Sequence, residues 1–321
     1  MKFDYVIERI ESAPIRPMPF AHIQIDELFD QKHFQEIVSA VEIRLAPQTS
    51  DARLFESLFD VGYEIINFPG SVLNKDRYIE WHKSRRPDHG LNQSSCEGFG
   101  VTLRLAQPQS PVISELLTFI GSREFKSALA CRFGIDASGL QFDAGLQKYL
   151  DGYEISPHPD VRRKALTFMV NINPSYDSQF NQHHTQLLRF RPEYQYVQEY
   201  WKARPAEERC WVPWDWCESE KTHSQNNSLI AFIPSDDTMH SVKAAYDHLV
   251  YQRTQLYGNF WYLADRTGVG PIWEDFVIKP SSARARRNFR GKLIEWLPKP
   301  AGDFVRRLVY RRAPVNVNRL K

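Results

Sequence analysis

Seven short segments after residue 140 constrain this chain more than any other feature. They are QFDAGLQKYL (141–150), YEISPH (153–158), KALTFMVNI (164–172), TQLLRF (185–190), SLIAFIP (228–234), MHSVKA (239–244) and RTQLYGNFWYL (253–263). Each is rich in β-branched, apolar or aromatic residues, and turn residues such as Asp151-Gly152, Asn173-Pro174 and Asn226-Asn227 separate several of them. Short strands in series after a helical half predict an α+β, mainly β chain: a sandwich or jelly roll supported by N-terminal helices. Upstream, PFAHIQI (19–25) predicts a strand. Asp30 then predicts an N-cap, and Phe34, Ile37, Val38, Val41 and Leu45 a helix with one buried face. Ser110-Pro111 predicts another helix start, with two short helices over 111–133 and Gly134 as the stop. Residues 46–109 show no clear period.

These elements divide the chain into a domain over 1–265, with its β-core at about 140–265, and an extension over 266–321. Residues 191–227 read as an insertion in the β-core. It holds Tyr194, Tyr196 and Tyr200, and four of the eight Trp fall within 201–216. Those aromatics either stack on a substrate or form a satellite cluster that pins the insertion down. The N-terminus has early acids and no apolar core, so it is not read as a signal peptide, and no apolar run reaches bilayer length. Cys96, Cys131, Cys210 and Cys217 lack the spacing of a zinc site or a disulfide framework, which favours a reducing, cytoplasmic setting. No nucleophile elbow, phosphate loop or dinucleotide fingerprint is present, which weakens hydrolase, kinase and dehydrogenase readings.

Chemistry concentrates in LQKYLDGYEISPHPD (146–160). Side chains two apart on a strand share a face, so His158 and Asp160 present an imidazole and a carboxylate together. Pro157 and Pro159 have no N–H to donate, which predicts a strand end or edge here. With 10 His and 19 Asp in 321 residues, chance alone gives roughly 0.6 His-x-Asp matches, so its context decides. Two thirds of a facial triad stand here, and a second histidine would complete an Fe(II) site with open positions. His240, opening a predicted strand, is the best candidate. Thirteen residues on, Arg253 offers a bidentate fork to a carboxylate, as a dicarboxylate co-substrate would require.

The order strand-His-x-Asp, strand-His, then Arg resembles the Fe(II)/2-oxoglutarate-dependent dioxygenase superfamily, in particular its prolyl-4-hydroxylase-like branch. Tyr149, Gly152, His158-Pro159-Asp160, the basic Arg162-Arg163-Lys164 and the strand after them carry the likeness, as do His240 with Val242, Arg253 and the opening PFAHIQIDELF. It spans about residues 18–262. It implies a double-stranded β-helix, Fe(II) on His158, Asp160 and His240, and 2-oxoglutarate held by Arg253 and Tyr149. It also implies O2 as oxidant, ascorbate as an auxiliary reductant, and a hydroxylated product with succinate. Two positions depart from the pattern: His183-His184-Thr185-Gln186-Leu187 stands where a Gly-Gly-Glu-Leu type turn is common, and Gln255 where a Ser often follows the Arg. Asp160 argues against halogenation, and Asn259, where a second Arg would stand, against nucleic-acid demethylation. A jelly-roll metalloenzyme that does not use 2-oxoglutarate and a non-catalytic binder with a relic site stay open. So does the substrate, whether small molecule, glycan or lipid precursor, or protein side chain. On a strand His183 and His184 would face opposite ways, so at most one could touch substrate, and a solvated turn is the favoured reading. Asp236-Asp237 reads as a polar turn rather than a second carboxylate source near His240, and His22, His33, His82, His89, His223 and His248 as surface or satisfied core residues.

Residues 279–321 carry 13 Lys or Arg against Glu295 and Asp303, a charge of about +11 that leaves about −9 on the rest. Phe289, Leu293, Trp296 and Leu297 fall at helical spacing among the cations, and Phe304, Val305, Leu308 and Val309 repeat the pattern after Pro298 and Pro300. Such a segment either packs on the β-core and pairs with its acids or lies on an anionic membrane surface. Nucleic acid is the least favoured partner.

Overall fold

A computed structural model of the protein describes residues 2–84 and 98–263. The basic extension 266–321, its proposed membrane surface, Cys96 and His89 lie outside the described residues. In chain order the elements are α1 (Tyr5–Ser12), β1 (Ile15–Arg16), β2 (His22–Ile25), α2 (Gln31–Ser39), α3 (Asp51–Asp60), β3 (Tyr63–Ile65), α4 (Lys75–Ser84) and β4 (Thr102–Leu105). Next come α5 (Pro111–Ile120), α6 (Arg123–Arg132), β5 (Leu140–Tyr149), β6 (Glu154–His158), β7 (Lys164–Asn171), β8 (Thr185–Phe190) and α7 (Tyr196–Ala203). The last strands are β9 (Cys217–His223), β10 (Ser228–Phe232), β11 (His240–Lys243) and β12 (Arg253–Tyr262). No described helix is long and apolar enough to cross a membrane.

Two antiparallel sheets result: an eight-stranded one in the order β1-β2-β10-β7-β12-β5-β4-β3, and a four-stranded one in the order β6-β11-β8-β9. β7 is central to the larger sheet and buried along its whole length, its polar Lys164, Thr167 and Asn171 side chains being hydrogen-bonded. The helical layer packs on that sheet through Phe34, Leu54, Phe55, Leu116, Phe119 and Phe125. β6 is the edge strand of the smaller sheet, in keeping with Pro157 and Pro159. The edge is nevertheless covered, because Val212 N–H donates to the Pro157 carbonyl at 2.8 Å.

Several sequence expectations shift. Asp30 does precede α2, but its side chain caps nothing and pairs with Arg9 instead. The helix ends at Ser39, where Ala40 turns extended, so Val41 is exposed rather than on the buried face. Residues 46–109 conceal α3, β3, α4 and β4. The insertion is shorter than 191–227, because Cys217–His223 forms β9 and pairs with β8. Its aromatics form a packing cluster: Trp201 and Val212 bury against Leu188, Phe190 and Met239, and Tyr194 stacks on Trp216.

One buried cation ties the sheet to the helical layer. Lys148 on β5 is fully buried and donates to the Ile43 carbonyl at 2.9 Å and to Thr254 Oγ1 at 2.8 Å. Burial lowers its pKa to about 7, with Glu42 opposing. A lysine that folds with a lowered pKa destabilises the native state most below that value, and the penalty fades as pH rises toward the ordinary lysine range. Wild-type stability measured relative to Lys148→Met by urea unfolding is expected to rise between pH 7 and 9.5, by at most about 1.4 kcal/mol per pH unit. A flat difference over that window would place the charged ammonium in the core.

Candidate active site

The smaller sheet brings His158 and His240 together directly. β6 and β11 pair with His158 opposite His240, and the two rings lie 4.4 Å apart between centroids. Both imidazoles are oriented by the same local device. His158 Nδ1 lies 2.7 Å from the Ser156 carbonyl and His240 Nδ1 lies 2.9 Å from the Thr238 carbonyl, each two residues back. A carbonyl oxygen only accepts, so Nδ1 carries the proton and Nε2 becomes the lone-pair nitrogen in both rings. Burial and the neighbouring His240 lower the His158 pKa to about 3, and burial lowers that of His240. Both are therefore neutral near pH 7.

Asp160 completes the cluster, with His240 Nε2 4.0 Å from its Oδ1. The ligand atoms of His158, Asp160 and His240 all lie within 4.8 Å of one another and could hold a metal ion. Asp160 is 1% exposed, yet its carboxyl is held well below the usual range. Burial opposes the charge, and the Lys164 ammonium together with both imidazoles overrides it. Lys164 Nζ lies 2.6 Å from Oδ1 and also donates to Tyr257 Oη at 2.9 Å. Thr167 Oγ1 donates to Oδ2 at 2.5 Å. A carboxylate has about four lone-pair sites, so these bonds leave capacity for a metal.

Arg253 and Tyr149 are partners across β12 and β5, and both line the same cavity as His158, Asp160 and His240. Arg253 is 1% exposed, and no acidic side chain pairs with it among the described residues. Its guanidinium lies 4.6 Å from the centre of the Tyr149 ring, and Nη2 donates to Thr185 Oγ1 at 3.1 Å. Among the described residues, Nε and Nη1 have no hydrogen-bond partner. The Tyr149 hydroxyl bonds Gln147, so Tyr149 faces Arg253 with its ring. Gln255 bonds Asn171 with its amide while lining the cavity. Phe68, Ile155, Met169 and Val242 supply apolar walls.

Sequence reading missed Lys164, Thr167 and Tyr257 around Asp160, and Thr185 beside Arg253. It also misplaced two histidines. His183 and His184 are buried rather than in a solvated turn, and their rings sit 4.2 Å apart rather than on opposite faces. They precede β8 instead of lying within it, so strand alternation does not apply. Asp236 does sit in a polar turn, where Arg162 and Arg209 reach it at 3.3 and 3.5 Å. Arg209 also donates to the Asp160 carbonyl at 2.7 Å, so the insertion grips the chain beside both β6 and β11.

Breaking a buried ion pair by deleting one partner costs about 3–5 kcal/mol, since the other charge stays buried. Lys164→Met is therefore expected to lower the stability of metal-free protein by that order in urea unfolding. Saturating divalent metal is expected to restore more stability to the variant than it adds to wild type. A loss below about 1 kcal/mol would mean that Lys164 does not neutralise Asp160.

No protein-family model matches the sequence, and no curated relative does. Solved structures do match. A prolyl-4-hydroxylase from Pseudomonas putida is 11% identical over 82% of this chain and 100% of its own, with a TM-score of 0.40. An oxidoreductase of the 2OG-Fe(II) oxygenase family from Burkholderia pseudomallei is 10% identical over 70% and 97%, at 0.27. The non-heme alpha ketoglutarate dependent epimerase SnoN from nogalamycin biosynthesis is 12% identical over 87% and 90%, at 0.36. The chain is thus similar to 2OG-Fe(II) oxygenases, prolyl hydroxylases among them, at low identity and low TM-score.

Proposed function

We propose that this protein is an Fe(II)/2-oxoglutarate-dependent oxygenase that hydroxylates its substrate, built on a double-stranded β-helix formed by the two sheets. The observation that carries the reading is one cavity that holds both a histidine-carboxylate cluster and a buried cation. His158, Asp160 and His240 bring their ligand atoms together at one place, and Arg253 is a buried guanidinium whose Nε and Nη1 have no hydrogen-bond partner among the described residues. A buried cation without an anion is costly, and a dicarboxylate bound beside the metal supplies that anion.

In this reading His158, Asp160 and His240 hold the metal, two neutral imidazoles and one carboxylate suited to Fe(II) with open positions. A bound Fe(II) supplies the redox chemistry by which 2-oxoglutarate, O2 and a substrate C–H give succinate, CO2 and an alcohol. Lys164 and Thr167 fix the carboxylate so that Asp160 cannot rotate away. Arg253 takes the distal carboxylate of 2-oxoglutarate, and Thr185 replaces the hydroxyl expected two residues after the Arg. Tyr149 serves as the stacking floor of the guanidinium, with its hydroxyl committed to Gln147. The apolar walls exclude water from the reacting centre.

One observation favours a second reading, a binding protein with a relic site: the Lys164 ammonium already neutralises Asp160. Succinate release under Fe(II), 2-oxoglutarate and O2, across a panel of candidate substrates, separates the two. Asp160→Ala is expected to abolish release while retaining the fold. Arg253→Lys keeps the charge and loses the fork, so the apparent affinity for 2-oxoglutarate is expected to fall at least tenfold, about 1.4 kcal/mol. Unchanged affinity in Arg253→Lys would place the co-substrate elsewhere, and absence of both metal binding and succinate would favour the relic.

A further inference from the structure

Outside this cavity, a second histidine-carboxylate cluster joins three distant segments. Asp51 opens α3, His82 lies in the last turn of α4, and His248 lies in the turn between β11 and β12. The Asp51 carboxylate stands between the two imidazoles, with Oδ2 2.8 Å from His82 Nδ1 and Oδ1 2.8 Å from His248 Nε2. The rings are 4.5 Å apart between centroids. Asp51 and His248 are buried, and the His82 side chain is 13% exposed. The three ligand atoms lie within 4.8 Å of one another.

A second carboxylate backs the first. Asp151, in the turn between β5 and β6, places Oδ2 3.7 Å from His82 Nε2, the nitrogen that faces away from Asp51. A carboxylate behind the outer nitrogen of a histidine is the usual support of a metal ligand, fixing the tautomer and raising basicity. Tyr78 adds to that support. Its ring stacks on His82 at an interplanar angle of 6°, and its hydroxyl donates to the Asp151 carbonyl at 3.1 Å. Among the described residues, no Lys or Arg ion-pairs with Asp51 or Asp151, in contrast to Asp160 and its Lys164. Two acids and two imidazoles thus share a largely buried site without a side-chain cation of fixed charge.

We propose that Asp51, His82 and His248 form a second, structural metal site of the zinc class, with Asp151 supporting His82. Two imidazole nitrogens and a carboxylate match Zn(II), whose fourth position falls to the second Asp51 oxygen or to water. One contact must give way. The Asp151 N–H points at His248 Nδ1 at 3.4 Å, and metal on Nε2 would place the proton on Nδ1. It is the longest hydrogen bond in the cluster. The site would brace the anion pocket from behind. Asp151 Oδ1 accepts from the Tyr246 N–H at 3.0 Å, and the Tyr246 hydroxyl accepts from the Arg253 N–H at 2.8 Å.

The test uses the full chain carrying His158→Ala and His240→Ala, which leaves the Lys164–Asp160 pair intact, stripped with chelator and titrated with Zn(II) and with Co(II). One equivalent of Zn(II) is expected to bind and raise the Tm, and Co(II) is expected to give the visible bands of a tetrahedral site. In the same background Asp51→Asn is expected to abolish that equivalent, and Asp151→Asn to weaken binding by ten- to a hundredfold. His82→Gln, at the partly exposed position, serves the same purpose if Asp51→Asn does not fold. Failure of the protein without His158 and His240 to bind Zn(II), or binding that survives both Asp51→Asn and His82→Gln, overturns the proposal. The cluster would then be a carboxylate-bridged imidazole pair without metal. Because both histidine ligands of the cavity are removed at the outset, this outcome is independent of the oxygenase reading.

Discussion

An ionised carboxylate at 1% exposure is the constraint around which the centre of this molecule is arranged. Left alone, such a charge would be neutralised or expelled. Asp160 remains charged because the Lys164 ammonium and the Thr167 hydroxyl bond its carboxylate, while His158 and His240 stand on its other side and Arg209 holds its backbone carbonyl. Lys164 and Thr167 stand at the start of β7, so the larger sheet supplies the compensating groups while the smaller one supplies the imidazoles. Phe68, Ile155, Met169 and Val242 surround these polar groups with apolar walls. The same compensation is missing at Arg253, with which no acidic side chain pairs among the described residues, and that asymmetry gives the cavity its polarity.

The parts of this arrangement that were legible in the sequence are those encoded by local period. Side chains two apart on a strand share a face, so His158-x-Asp160 could be read without a fold, and the seven segments after residue 140 announced their strands. β9 escaped because CESEKTH, an exposed strand of mostly polar residues, lacks an apolar signature. Lys164 escaped for a different reason. Its contact with Asp160 is made around the turn at 161–163, and their i,i+4 spacing is a cue only on a helix, whereas this segment reads as strand. The buried histidines illustrate a third limit. Hydropathy treats His183 and His184 as polar, yet the fold buries both, with His183 packed edge-on against Tyr246 and Tyr251 and His184 beside it. Asp51 and His248, 197 residues apart, meet only through the docking of the helical layer.

A single backbone device recurs at three histidines. His22, like His158 and His240, points Nδ1 at the carbonyl two residues before it. The two histidines of the cavity thus take their tautomer from the main chain, and His240 also packs against the Phe232 ring. Asp160, whose carboxylate could turn freely, is the member that needs dedicated side-chain partners.

The insertion before β9 has a consequence for how this molecule can diversify. Arg209 and Val212 bond the chain at Asp160 and Pro157, and Trp214 donates to Glu154 on the same strand, so the inner face of the insertion is fastened along β6. Changes on that face are transmitted to the histidine-carboxylate strand and are constrained accordingly. The outer face of α7, where Tyr196 and Tyr200 are exposed, carries no such obligation. Substitutions on that outer face therefore leave the bonds to Glu154, Pro157 and Asp160 in place, so the surface there can change while the histidine-carboxylate strand stays fastened.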